Sequence, residues 1–413
     1  MSKHSRRSLL AVVCALAAPA AAQTISSPFD LDYSYVDLGS ITGVPPNLGG
    51  LTFLAGDDDT LLIGGAANNG AGAIYSVPLT RDAMGHITGF GTATQLSTAP
   101  YIDGGLTYGP GGVLFATGYS NNTLMQILPA STAPDSTTTL SSFGITGSVG
   151  ACMFVPAGWP GAGQFKMASY SGQTWHTVDL QPNATGTFDV TAASPGIVIG
   201  GGPEGILYPP PGSPQLPDFS TVLVSEYGTG SIVVYDLDAN GDPIPATRRT
   251  MMTGLSGAEG AVVDPVTGDM LFSTYGGGNR VVRITGFAAC GFYQTYGQGC
   301  GGALGVPQIS GQGCPIPGAS ITIDLDNAPA NAFGQLCLGD AALGVPVFNC
   351  TLLILIDACI GVTSDATGSF SYTVGIPNQP SFDDWHGYWQ AAFLDPSAPN
   401  GVVLTGGLDM FVN

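Results

Sequence analysis

The sequence predicts an all-β protein, and three observations carry that prediction. Charged residues make up only 9% of 413, while Gly (62) and Pro (31) are abundant, the composition of many short strands joined by tight turns. Apolar residues fall in short runs broken by turn residues, without a sustained helical period. One strand–turn–strand phrase also returns five times between Tyr33 and Phe287, at a spacing of about fifty residues.

The phrase is clearest when its first apolar runs are aligned. They are Leu51-Thr52-Phe53, Leu106-Thr107-Tyr108, Cys152-Met153-Phe154, Ile206-Leu207-Tyr208 and Ala261-Val262-Val263, and their starts differ by 55, 46, 54 and 55 residues. Gly50, Gly105, Ala151, Gly205 and Gly260 precede them. A second run follows each after a turn, as in Leu61-Leu62-Ile63 and Val222-Leu223-Val224, and a third alternates, as in Ile232 to Tyr235. Three strands and a variable fourth at this period predict a β-propeller, whose four-stranded units cannot bury both faces alone and stack around an axis. Small residues ahead of the first strand suit the crowding expected where innermost strands converge. The fifth unit runs almost directly from Ile284 into Ala288-Ala289-Cys290, so Tyr33 to Asp37 is expected to supply its missing strand and close the ring. The expectation is five blades, with six as the alternative, over residues 23–287.

Asp264-Pro265-Val266-Thr267-Gly268-Asp269-Met270-Leu271-Phe272-Ser273, followed by Gly277-Gly278-Asn279-Arg280-Val281-Val282-Arg283-Ile284, resembles the NHL-repeat and gluconolactonase-like propellers. The resemblance spans most of residues 33–287 and is strongest in the second, fourth and fifth units. Propellers of this type include lactonases, lyases, peptide-processing enzymes and binders without catalysis, so the fold leaves function open.

After Phe287 the pattern changes. Residues 288–318 are Gly- and Cys-rich and begin a tail module. Strands are expected at Ser320–Leu325, Gln335–Leu338, Thr351–Ile356, Ser369–Val374, Tyr388–Leu394, Val402–Thr405 and Leu408–Val412, which predicts a β-sandwich over 319–413. Six cysteines lie in this third of an exported chain, so disulfides are expected, with 15 possible pairings. No C-x2-C pair speaks for zinc. Tyr296-Gly297-x-Gly299-Cys300, Cys350-Thr351-Leu352-Leu353 and Asp395-Pro396-x-Ala398-Pro399-Asn400-Gly401 resemble a C-terminal module of secreted planctomycete-type bacterial proteins. That resemblance implies a surface or sorting accessory and a Cys300–Cys350 bridge.

The first 22 residues read as a signal peptide: Lys3, Arg6 and Arg7, an apolar stretch from Leu9 to Ala18, and Ala20-Ala21-Ala22 before Gln23. Ser5-Arg6-Arg7-Ser8-Leu9-Leu10 fits either an ordinary secretory signal or a twin-arginine one. Secretion, the periplasm or the cell surface is the expected destination. No later stretch is apolar enough to span a membrane. Without the signal, six basic residues face 29 acidic ones, 6 − 29, or −23. Nucleic-acid and anionic-membrane binding need a basic footprint, and this chain has none; an extracellular ligand, small molecule or glycan, is expected instead.

Chemistry concentrates ahead of the first runs. The position two residues before each run holds Gly49, Gly104, Gly150, Glu204 and Glu259. Two carboxylates from equivalent points of adjacent units are expected to approach near the axis, with Asp103 joining them. Loops between second and third strands add Asn122, Glu226 and Asn279 as ligand-binding residues. Carboxylates and amides without basic partners suit a hard cation such as Ca²⁺. Gluconolactonase-like enzymes hold a metal at this place; here Glu204 and Glu259 match, and Gly49 replaces the family's first-unit Glu. The competing reading has Glu204 and Glu259 tying neighbouring units together through backbone amides.

Other motifs carry less. Asp236-Leu237-Asp238-Ala239-Asn240-Gly241-Asp242 opens like a calcium loop but has Thr247 at its twelfth position, so a hairpin turn is expected. Gly200 to Gly205 fits G-x-G-x-x-G with no helix after it. His86, His176 and His386 are too scattered for a triad. Trp385, Tyr388 and Trp389 offer either a sugar-stacking face or alternating sandwich burial. The expected function is that of an exported, acidic binding or cell-surface protein. The alternative is a divalent-cation-dependent lactonase or lyase working at the axis through Glu204, Glu259 and Asp103.

Overall fold

The computed structural model describes residues 23–216, 219–288, 291–302, 304–347, 350–382 and 385–413; the expected signal segment lies outside them. The protein is all-β. Five antiparallel sheets occupy the first two thirds of the chain, one per sequence repeat. Their first strands are Leu51–Leu54, Ile102–Tyr108, Val149–Phe154, Pro203–Leu207 and Ala258–Val263. These five strands contact one another, the last touching the first, so they surround a common axis. Each sheet then runs outward through its second, third and fourth strands.

The fifth sheet is completed from the other end of the chain. Ser34–Gly39 pairs antiparallel with Val281–Thr285, placing Tyr35 opposite Ile284. A second pairing was not foreseen: Thr24–Ile25 adds a fifth strand beside Arg249–Thr253 in the fourth sheet.

Burial explains the repeating pattern. Second strands such as Leu114–Gly118, Phe165–Ser169, Thr221–Glu226 and Met270–Thr274 are buried along their whole length. Neighbouring sheets cover both of their faces, so their sequences read as unbroken runs. The outer strand Ser136–Thr139 alternates instead. Around the axis, first strands approach too closely for side chains: a Cβ on Gly260 would lie 2.5 Å from the Gly50 Cα, and one on Gly105 would lie 2.7 Å from the Cys152 nitrogen. Second-strand hydroxyls clasp the next sheet. Thr117 Oγ1 donates to the Gly150 carbonyl (2.7 Å), Ser225 Oγ to Glu259 (2.5 Å) and Ser273 Oγ to Gly49 (2.6 Å).

In the last third, Phe292–Tyr296, Gly407–Val412, Trp385–Leu394, Phe333–Gly339 and Ala358–Thr363 lie side by side, with Val402–Leu404 paired to Trp385–Leu394. Gln308–Gln312, Ser320–Asp326 and Phe370–Gly375 form another sheet, and Ala342–Val347 with Cys350–Ile354 a hairpin. Ile321 and Ile323 from one sheet share a core with Leu336, Trp389 and Phe393 from the other. Cys300 pairs with Cys350, as the resemblance implied, and Cys337 with Cys359. Trp389 is buried in this core with Trp385 packed against it, while His386 and Tyr388 alternate to the opposite face. Trp385, Tyr388 and Trp389 therefore do not make one stacking surface.

Candidate metal centre

The antiparallel register puts the start of each first strand beside the end of its second strand. Asp103, Glu204 and Glu259 stand at these starts, and at each the ladder is broken by a register shift: Ile102/Leu106, Pro203/Gly205 and Ala258/Ala261. Bulges re-aim side chains, and here they send three carboxylates toward the axis. The third sheet has the same shift at Val149/Ala151, but its bulged residue is Gly150. A Cβ there would meet Glu204 Oε2 at 2.2 Å, so glycine at 150 makes room for the acid. Gly104 is constrained likewise, by the Glu204 carbonyl at 2.1 Å.

Ligand oxygens of Asp103, Glu204 and Glu259 lie within 4.8 Å of one another. The residues are 0%, 3% and 1% exposed. No well-formed hydrogen bond reaches either oxygen of Asp103, Oε2 of either glutamate or Oδ1 of the neighbouring Asn68; the Gly104 amide approaches Asp103 and Glu204. Asp103 does touch Glu204, Glu259 and Asn68, but a contact between two carboxyls is a hydrogen bond only when one carries a proton. The protonated forms are favoured accordingly. Burial pushes Asp103 up to about 7, against lowering by those contacts. Burial, then the charge of Asp103, hold Glu204 and Glu259 well above the usual carboxylate range.

Among the described residues no base neutralises this cluster. Each described Lys and Arg is paired with an acid elsewhere: Arg81 with Asp59 and Asp264, Lys166 with Asp242, Arg248 with Glu226, Arg249 with Asp236, Arg280 with Asp37 and Arg283 with Asp269. Three buried carboxylates without counter-charge require protons or a cation. A point exists within about 2.8 Å of all three oxygens (4.8 Å divided by the square root of three), close to the 2.3–2.6 Å of Ca²⁺–oxygen bonds.

The other expected site residues are engaged elsewhere. Glu226 takes a bidentate grip from Arg248 (2.9 and 2.6 Å) and bonds from Thr229 (2.7 Å) and Tyr235 (3.1 Å). Asn122 donates to the Ile145 carbonyl and accepts from the Val149 amide. Asn279 Oδ1 accepts from the Asn47 amide at 2.6 Å. Both asparagines have positive φ and bind the following sheet to their own. Asp238 to Asp242 forms the expected hairpin turn, the Asp238 amide bonding the Asp242 carbonyl at 2.9 Å.

Sequence reasoning missed Asn68 and four tyrosines. Tyr119, Tyr170, Tyr227 and Tyr275 each stand immediately after a second strand, in four successive sheets. Their rings meet in edge contacts with centroids 5.6, 5.5 and 6.0 Å apart. Beside Tyr170 is a cleft of about 500 Å³, reaching Gln173, Gly202 and Thr229. Gly200, Gly201 and Gly202 all have positive φ, and a Cβ on Gly202 would lie 2.8 Å from the Tyr170 ring. The signal was a tyrosine recurring at one position of the repeat.

No family model and no curated protein matches the chain. Solved structures similar to it are β-propeller proteins, and the likeness is one of fold. The β-propeller domain of Cps50 (Swd1) from Myceliophteria thermophila is 9% identical, over 57% of this chain and 68% of that one, at a TM-score of 0.31. Glutaminyl cyclase from Myxococcus xanthus is 12% identical, over 64% and 95%, at 0.36. The calcium-binding protein regucalcin from Agrobacterium tumefaciens is 24% identical, over 41% and 50%, at 0.26.

Proposed function

We propose that this chain is an exported five-bladed β-propeller with a C-terminal β-sandwich, acting as an extracellular binding or cell-surface protein built around an axial divalent cation. Asp103, Glu204 and Glu259 are the proposed ligands, with the Asn68 amide beside them. One observation carries the reading: three buried carboxyl groups converge, four of their oxygens make no well-formed hydrogen bond, and no base among the described residues pairs with them. An all-oxygen set without His or Cys favours a hard ion, Ca²⁺ above the softer transition metals. The bridges Cys300–Cys350 and Cys337–Cys359 support an oxidising destination.

The second reading is a cation-dependent lactonase or lyase. It is favoured by the small number of protein ligands: Ca²⁺ takes six to eight oxygens, and three carboxylates leave positions for a substrate. A bound ion would polarise a substrate carbonyl. The roles of this chain's own residues are to hold the ion, through the three acids, and to orient a ligand in the cleft beside Tyr170.

Elemental analysis of purified protein tests both readings. The expected result is one equivalent of divalent metal, lost in Glu204→Gln. Metal-free protein whose melting is indifferent to both chelator and added Ca²⁺ would overturn the cation site.

A further inference from the structure

Three of the four tyrosines share one backbone setting. The amides of Tyr119, Tyr227 and Tyr275 bond the carbonyls of Tyr101, Gly202 and Gly257 at 2.9, 2.9 and 2.8 Å, each of which lies just ahead of a bulged first strand. The rings are held as well as the backbone. A Cβ on Gly202 would strike the Tyr170 ring, and one on Gly257 would lie 3.0 Å from the Tyr227 ring. In the first sheet the equivalent position is Ala66, so the aromatic series is a horseshoe, open on the side of Asn68. It lies at the same end of the sheets as the acids, close enough that the charges of Glu204 and Glu259 act on both Tyr170 and Tyr227. All four residues are half-buried.

A half-exposed aromatic ring of this kind, standing over three carboxyl groups with no basic partner, discriminates by sign. Anions are repelled, and neutral apolar groups gain only contact area. A ligand cation gains both from the ring electrons and from the acids beneath. With a divalent ion in the triad, three carboxylates and the ion would sum to −3 + 2, or −1; without one, protons take up the charge and the rings alone attract a cation. We infer that Tyr119, Tyr170, Tyr227 and Tyr275 form a receptor for an alkyl- or quaternary-ammonium group, carried by an organic ligand seated over the axis. This rests on the axial end being the ligand face proposed above, but not on the identity of the ion. Metal-free protein that binds an ammonium would refute the metal and keep the receptor.

Calorimetric titration of the full chain with choline, against its neutral isostere 3,3-dimethylbutan-1-ol, tests the inference. Choline is expected to bind saturably, and the alcohol at least roughly five-fold more weakly. Tyr170→Leu and Tyr227→Leu should each weaken choline roughly five-fold, while Tyr170→Phe and Tyr227→Phe, which keep the ring, stay within about two-fold of the parent. A peptide with a single lysine, titrated alongside, tells a protein-borne ammonium from a free one; binding of either supports the receptor. Absence of binding by both, equal binding of the neutral alcohol, or leucine variants that bind like the parent would each overturn it.

Discussion

Ser273 Oγ donates to the Gly49 carbonyl at 2.6 Å across 224 residues of sequence, and it accepts the Gly260 amide at 3.0 Å. One buried hydroxyl thus joins the last repeat to the first, repeating what Thr117 and Ser225 do between earlier neighbours. Removing it strands a buried carbonyl and a buried amide. Ser273→Ala is expected to cost about 2 kcal/mol, read as a lower denaturant midpoint at unchanged slope. Ser142 makes a comparable bond at the surface, and Ser142→Ala should stay within about 0.5 kcal/mol. Equal losses would mean that the clasp does not hold the ring.

The triad sets an unusual pH dependence. Folded pKa values of Asp103, Glu204 and Glu259 are raised, so the folded chain binds more protons than the unfolded one above about pH 4. Without divalent ions, stability is therefore full below pH 4 and falls as pH rises through about 7, at up to about 1.4 kcal/mol per pH unit for each proton held. Added Ca²⁺ should reverse the loss at pH 8 and have little effect at pH 4.5, where protons compete. Thermal melts across this range in chelator and in Ca²⁺ check it. A metal-free protein most stable at pH 8 would contradict the assigned burial of charge.

Much of this was legible because it is repeated. Small residues before each first strand, unbroken second strands and the spare N-terminal strand all follow from five sheets converging on one axis. Glu204 and Glu259 stood out because acids occupied the position that the other three repeats give to glycine; Asp103 stands one place further out, beside Gly104. Asn122 and Asn279 hold loop positions that serve two needs. Their loop positions resemble ligand positions, but a positive φ with a bond to the next sheet is equally a demand of the ring. Thr24–Ile25 was illegible because two residues carry no periodicity. The tyrosines were missed since an aromatic after an apolar run looks like one more strand residue; only their mutual contact shows otherwise.

Glu226 is predicted to be structural. It accepts from Arg248, Thr229 and Tyr235 and is fully buried. Arg248→Ala should cost about 2 kcal/mol, below the 3–5 kcal/mol of a fully buried pair, because the Arg248 side chain is 34% exposed and solvent screens it. Metal content should not change. A stable variant that loses its metal would place Glu226 with the triad instead.

Lys166 and Asp242 test the hairpin against the calcium loop that its sequence imitates. Lys166 is fully buried, and its Nζ bonds Asp242 Oδ1 (2.7 Å), Thr177 Oγ1 (2.7 Å) and the Asn240 carbonyl (3.0 Å). Asp242 also accepts from Trp175 Nε1 at 3.0 Å, so its carboxylate serves the neighbouring sheet rather than an ion. Asp242→Asn leaves a buried ammonium without counter-charge and is expected to cost about 3–5 kcal/mol. Lys166→Met in the same chain removes that charge, and the double variant should recover most of the loss, since replacing both members of a buried pair is close to neutral. Denaturation of the two single variants and the double one measures the coupling. Ca²⁺ stoichiometry should be identical in all four proteins. A calcium equivalent lost with Asp242→Asn, or a double variant no better than the single, would reinstate the loop as an ion site.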